Sequence, residues 1–149
     1  AHLGCSVVLS ETAEAMENLH RNVDANRQHV QLPDSQRPLV RKVDWTSADD
    51  VAAVSACDRA PFDLLLGTDV VFNTNLVEPL LRTLHASSHE GSTVWLCMQE
   101  RCPDAHKMVL ELAPRFFHLA DYSAHLAEAR GCGAAAELEC FLFRLTRKR

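Results

Sequence analysis

Apolar positions along this chain follow two rhythms, and the switches between them mark its elements. Ser6-Val7-Val8-Leu9-Ser10 is a short β-branched run closed by polar residues, which predicts a buried strand. From Glu14 the spacing turns helical: Ala15, Leu19 and Val23 share a face with Met16 beside them, while Glu17, His20 and Arg21 point elsewhere. Thr12 is placed to cap that helix, and Glu14 and Glu17 suit its positive end. Residues 25–38 are polar, carry two prolines and read as a connection. A second strand is predicted over 39–45, and Ser47-Ala48-Asp49-Asp50 caps a short helix running through Val51 to Cys57.

Leu64-Leu65-Leu66-Gly67 is the most apolar strand of the chain. Helical spacing returns at Asn75 with Leu76, Leu80, Leu81 and Leu84 as the core face, and Pro79 is expected in its first turn. Gly91-Ser92 reads as a turn into a strand over 93–99, Pro103-Asp104 opens a helix over 105–112, and a further strand spans 116–120. Arg130-Gly131-Cys132-Gly133 is a link, and residues 138–145 alternate around Phe141 and Phe143 as a closing strand. Strands alternating with helices, several apolar on both faces, predict an α/β domain with a largely parallel sheet. No clear helix separates the last two strands, which implies an antiparallel hairpin at one edge. In such sheets ligands bind beyond the carboxyl ends of the strands. Three segments stand there: Ser10-Glu11-Thr12, Asp44-Trp45-Thr46 and Gly67-Thr68-Asp69.

Composition narrows the classes. The 149 residues suffice for one domain with a single core, and 23% charged residues is a globular composition. A net charge of −5 argues against a general nucleic-acid binder. The basic cluster of Arg144, Arg147, Lys148 and Arg149 reads as the solvated end of a final strand. Six cysteines, none in C-x-x-C spacing and several inside apolar runs, fit buried free thiols in the reducing cytoplasm or nucleus. No apolar run is long enough to cross a bilayer. The chain opens on Ala and runs at once into a strand, so a truncated domain is expected over 1–149. Nothing in the sequence sets the oligomeric state.

The strand ends offer candidate chemistry. A carboxylate such as Glu11 accepts hydrogen bonds from both hydroxyls of a ribose, although an acid in a helix's first turn is equally ordinary. Asp44-Trp45 offers a flat apolar wall and a polar edge suited to adenine, but a Trp covering a sheet end is the commoner reason for one. Gly67 would let a ligand approach the backbone closely. Asp69 has no basic residue near it in sequence, and Asn73 and Thr74 are better caps for the helix that follows. His85 and His89 stand four apart without a third ligand and read as surface residues rather than a metal site.

Gly67-Thr68-Asp69-Val70-Val71-Phe72, followed by Leu76-Val77-Glu78-Pro79-Leu80-Leu81, resembles the family-16 seven-β-strand methyltransferases, a group rich in protein-lysine methyltransferases. That group carries an Asp-x-x-Tyr/Phe motif after its fourth strand. Leu3-Gly4-Cys5-Ser6-Val7-Val8-Leu9-Ser10-Glu11 is similar to its second strand with the ribose-binding acid, and Val43-Asp44-Trp45 to its adenine-side segment. Gln99-Glu100-Arg101 resembles its Glu-x-Arg stretch. The motifs recur in family order over nearly the whole chain.

The resemblance implies a Rossmann-like sheet with a C-terminal antiparallel hairpin, S-adenosyl-L-methionine as cofactor, and a lysine ε-amine on a protein substrate as acceptor. It places Glu11 on the ribose, Asp44, Trp45 and Thr68 around adenine, and Asp69 and Phe72 at the lysine, with Glu100 a lesser candidate nearby. No nucleic acid, membrane or metal is implied. Two features depart from the pattern. The family's first strand and glycine-rich loop would lie upstream of Ala1, and Phe72 lacks the hydroxyl of the usual Tyr. A methyltransferase-like fold without catalysis, serving as an interaction module, is the alternative, since a missing central strand leaves two neighbours unpaired. A dinucleotide-binding oxidoreductase shares the strand-end acid but accounts for neither Asp69-Val70-Val71-Phe72 nor the hairpin.

Overall fold

A computed structural model describes residues 5–27, 37–128 and 139–148. Its elements run β1 (Val8–Glu11), α1 (Met16–Arg27), β2 (Leu39–Lys42), α2 (Ala48–Ser55), β3 (Phe62–Thr68), α3 (Thr74–Ala86), β4 (Ser88–Gln99), α4 (Pro103–Leu112), β5 (Phe117–Asp121), α5 (Ser123–Glu128) and β6 (Cys140–Arg147). The chain divides into two compact units, Ala1–Ala60 and Pro61–Arg149. Leu3-Gly4 and the Arg130–Gly133 link of the sequence reading lie outside the described residues.

In the first unit β1 and β2 pair in parallel, Val8 opposite Leu39 and Glu11 opposite Lys42. The ladder continues one bond past the strands, from Val43 N–H to the Glu11 carbonyl (2.9 Å). Thr12 makes no side-chain cap; the chain leaves β1 through a 3-10 turn, Ala13–Ala15, before α1 begins. The expected cap of α2 forms, with Ser47 Oγ accepting from Asp50 N–H at 3.3 Å. Arg59 ties the unit's other end together, donating to the carbonyls of Val7 (2.6 Å) and Arg37 (2.9 Å).

The second unit holds four strands in the order β3-β4-β6-β5, with β3 and β4 parallel and β6 antiparallel to both neighbours. Opposite residues share a face, so Val94, Leu96 and Met98 of β4 line up with Leu145, Phe143 and Phe141 of β6. This is the face under α3 and α4. His106 of α4 lies edge-on to Phe141 (4.5 Å between centroids), and His85 of α3 meets Phe117. Leu81, Val94, Leu96, Val109, Phe117 and Leu145 are wholly buried between them. Burying a Leu or Phe in this way stabilises by roughly 1.5–3 kcal/mol each. On the opposite face Trp95 meets Tyr122 edge-on, 5.1 Å between centroids, and the Arg144 guanidinium lies over the tyrosine ring at 5.2 Å.

Several expectations need correction. The stripe of α3 is rotated: Val77, Leu80, Leu81 and Leu84 are buried with Thr83, and Leu76 is only half-buried. Because the cap is Asn73, whose Oδ1 accepts from Asn75 N–H at 2.9 Å, Pro79 falls past the first turn and forgoes the helical bond to the Asn75 carbonyl. Gly91-Ser92 is not a turn before the strand but an irregularity within β4, where Gly91 takes φ 93° and Ser92 Oγ donates to the Phe62 carbonyl. The last two strands pair antiparallel as expected, yet α5 stands between them, its start fixed by the Asp121 carboxylate accepting from Ser123. Those bonds hold the Asp121 carboxyl below the usual range.

Arg147 and Lys148 are not a merely solvated end. Arg147 donates to the carbonyls of His85 (2.9 Å) and Ser88, closing the carboxyl end of α3, and Lys148 reaches the Pro114 carbonyl.

Candidate functional site

Parallel pairing brings the carboxyl ends of β1 and β2 side by side, and with them three of the predicted residues. Glu11 ends β1 with an exposed carboxylate whose Oε1 accepts from Thr12 N–H at 3.0 Å. Asp44 stands two residues past β2, after buried Val43. Its Oδ1 accepts from Thr46 N–H (2.8 Å) and Thr46 Oγ (2.7 Å), closing a tight turn that sets half-buried Trp45 at the strand end. These bonds hold the Asp44 carboxyl below its ordinary range. Behind it, Asp50 accepts from Asp44 N–H (2.9 Å) and pairs with Lys42 (3.1 Å), which lowers the Asp50 carboxyl in turn. Glu14, assigned in sequence only to a helix start, joins this end. Its carboxyl is lowered by hydrogen bonds from its own backbone and from Thr12.

In the second unit Thr68, Asp69 and Phe72 come together at the carboxyl end of β3. Thr68 is its last residue, exposed, and lies opposite Cys97 of β4. Asp69 N–H extends the ladder by one bond, to the Cys97 carbonyl at 2.8 Å. The chain then turns through Asp69 at φ 57°, a left-handed conformation in which a non-glycine residue stores on the order of 1–3 kcal/mol and which clusters at functional sites. Val71 is buried and anchors the loop, while Phe72 is left 54% exposed.

Gly67 serves the core rather than a ligand. A methyl there would lie 2.8 Å from Leu96 Cδ2 and 3.2 Å from Val70 Cγ2, so its hydrogen faces packed side chains.

One contact of Asp69 is invisible from its neighbours in sequence. Asp69 does have a basic neighbour: Arg101 Nε donates to Oδ1 at 3.0 Å and its NH2 engages Oδ2. The signal was present in the order of the strands. β3 and β4 are parallel with Thr68 opposite Cys97, so segments just past each carboxyl end become neighbours, Asp69 on one and Glu100-Arg101 on the other. Glu100 is exposed there.

The two histidines are separate features. His85 rests half-buried against Phe116 and Phe117, and that burial, with Arg147 secondarily, lowers its pKa. His89 lies in β4, bonded to the Glu90 carbonyl and at 3.0 Å to Asp63, contacts that raise its pKa. No cluster suited to a metal ion exists among the described residues, and the described cysteines 5, 57, 97, 102 and 140 form no disulfide.

Each unit thus carries acids at or just past the carboxyl ends of its parallel strands, and comparison with known proteins identifies the class of protein to which they belong. A profile of the lysine methyltransferase family matches residues 1–117, and the chain belongs to that family. It is similar to protein N-lysine methyltransferase METTL21A of Danio rerio, 27% identical over 116 residues that make up 78% of this chain and 50% of that protein. The chain therefore spans about half the length of the curated relative it matches. In fold it resembles human N-acetylserotonin methyltransferase in complex with SAM (TM-score 0.54, 12% identity, 99% of this chain and 42% of that one). It also resembles PigF with SAH (TM-score 0.57, 12% identity, 99% and 50%). These likenesses establish the Rossmann-like α/β fold that the family resemblance implied.

Proposed function

We propose that this chain carries the ribose, adenine and lysine sides of an S-adenosylmethionine-dependent enzyme that methylates a lysine ε-amine on a protein substrate. The observation that carries the reading is Asp69, held at the carboxyl end of β3 in left-handed backbone beside exposed Phe72, in a chain of the lysine methyltransferase family.

The residues present fit the cofactor. Glu11 is an exposed carboxylate at a strand end, the acceptor that the two hydroxyls of a ribose require, and the Asp44–Thr46 turn holds the Trp45 indole at the neighbouring strand end, where it offers an adenine a flat wall. When bound, the sulfonium supplies an electrophilic methyl group, which the lysine nitrogen takes as the carbon–sulfur bond breaks and its electron pair passes to sulfur. The protein's own part is positioning and supplying a neutral amine. Asp69 accepts an N–H of the amine and aims its lone pair. Phe72 walls the aliphatic stem and offers its ring face to whatever cationic character remains. The absence of a hydroxyl at Phe72 puts all directional hydrogen bonding on Asp69. Described cysteines that form no disulfide accord with a reducing cytoplasmic or nuclear setting.

Calorimetric titration of the full-length protein with S-adenosylhomocysteine tests this. Wild type should bind, and Glu11→Ala should weaken binding about 10- to 100-fold, the value of charge-assisted hydrogen bonds at about 1.5–3 kcal/mol. No binding by wild type would leave an interaction module as the reading.

A further inference from the structure

The Asp69–Arg101 contact asks why a lysine-binding carboxylate should already hold a cation. Stability is a poor answer. The pair is solvent-facing, with the Arg101 and Asp69 side chains 58% and 37% exposed, and such pairs contribute only ~0–1 kcal/mol. Its geometry is nevertheless specific. Asp69 is fixed by its own N–H on Cys97 and by the turn at φ 57°. Arg101 is fixed by its N–H on the Gln99 carbonyl at 2.9 Å. The guanidinium then meets both carboxylate oxygens, a fork that sets the plane of the carboxylate as well as its position.

We propose that Arg101 is a positioning residue for lysine methylation, which orients Asp69 and keeps the bound lysine from retaining its proton. The proposal rests on the lysine-methylating reading of this site. A bare carboxylate beside a lysine ammonium favours the charged form and raises the amine's pKa, the wrong direction for a nucleophile. With Arg101 on Asp69, the arriving ammonium meets a neutralised pair and a nearby like charge, which favours the uncharged amine. The ammonium N–H bond breaks and its proton passes to bulk water, leaving the lone pair on nitrogen. Asp69 then accepts one of the two remaining N–H groups through a lone pair the guanidinium does not use; a carboxylate has about four acceptor sites and the fork occupies two. Lysine's point charge cannot reproduce the fork, but it does reproduce the sign, so charge and orientation are separable by substitution.

The test measures kcat against pH for full-length wild type, Arg101→Gln and Arg101→Lys, because kcat reports ionisations in the enzyme–substrate complex. It reads tritium transfer from labelled S-adenosylmethionine to extract protein at saturating concentration, with S-adenosylhomocysteine affinity measured alongside. Arg101→Gln should move the alkaline midpoint upward by about one pH unit, cost about tenfold at neutral pH and recover as pH rises, with cofactor affinity unchanged. Arg101→Lys should keep the wild-type midpoint while losing rate uniformly. An active wild type with an unshifted midpoint in Arg101→Gln, or the same shift in both variants, would overturn the role of Arg101 alone. Inactive wild type would overturn the lysine-methylating reading beneath it.

Discussion

Asp69 and Gly67 show what a residue's neighbours in sequence conceal. The strand-end rule located both, because a parallel sheet presents its carboxyl ends to ligands whatever the side chains are. What each does depends on the adjacent strand. Gly67 lies opposite Leu96, and its missing methyl is filled by Leu96 and Val70, so the glycine supports the loop carrying Asp69 from beneath. Gly67→Ala should cost about 1–3 kcal/mol by overpacking, read as a lower urea midpoint, because Leu96 is wholly buried and has little room to yield. An unchanged midpoint would mean that the loop, not the core, gives way. The Arg101 partner was hidden for a related reason. Residues 69 and 101 are distant along the chain, and only the register of Thr68 on Cys97 makes them neighbours.

At the scale of elements, capping chemistry was the most legible signal and irregular strands the least. Ser47 before α2 and Pro103 at the start of α4 stand where local rules put them, since caps depend on a few adjacent residues. β4 defeated the turn rule because its glycine bends a strand that Ser92 then stitches back to Phe62. α5 was missed because six residues carry too little periodicity to reveal a helix. The helix–strand junction around His85 and His89 also carries an opposed pH response. Burial lowers the His85 pKa, so below about 6.5 the unfolded chain takes up the proton first and stability falls as pH drops. His89 is raised by Glu90 and Asp63, so its contribution is full below about 6.5 and is lost as pH rises through the raised value. Urea midpoints followed from pH 8 to 5.5 should therefore separate the two. His85→Gln should lessen the acid loss, and His89→Gln should steepen it. Changes of the same sign in both variants would contradict the assignment.

For the molecule as a whole, the α/β class followed from rhythm alone, and the order of motifs pointed to the family before any coordinate did. The acidic balance and the strand-end acids do not choose a chemistry; the proposed lysine methylation rests on Asp69 with Phe72 in a chain of the lysine methyltransferase family. The described strands gather into two sheets, and β3, read as the most apolar strand, lies at an edge with Leu64 54% and Leu66 73% exposed. Periodicity reports that a strand is apolar, not which of its faces another element covers. Methyl transfer is the property on which everything else depends. The direct measurement is tritium transfer from labelled S-adenosylmethionine to extract protein by the full-length enzyme and by Asp69→Ala, with S-adenosylhomocysteine affinity determined for both. Wild type should yield labelled lysine, Asp69→Ala should lose at least about 100-fold, and cofactor affinity should stay within about twofold between them, because an interaction made only at the reacting centre lowers rate without lowering cofactor binding. Undiminished labelling by Asp69→Ala, or loss of cofactor binding together with activity, would contradict the role given to Asp69.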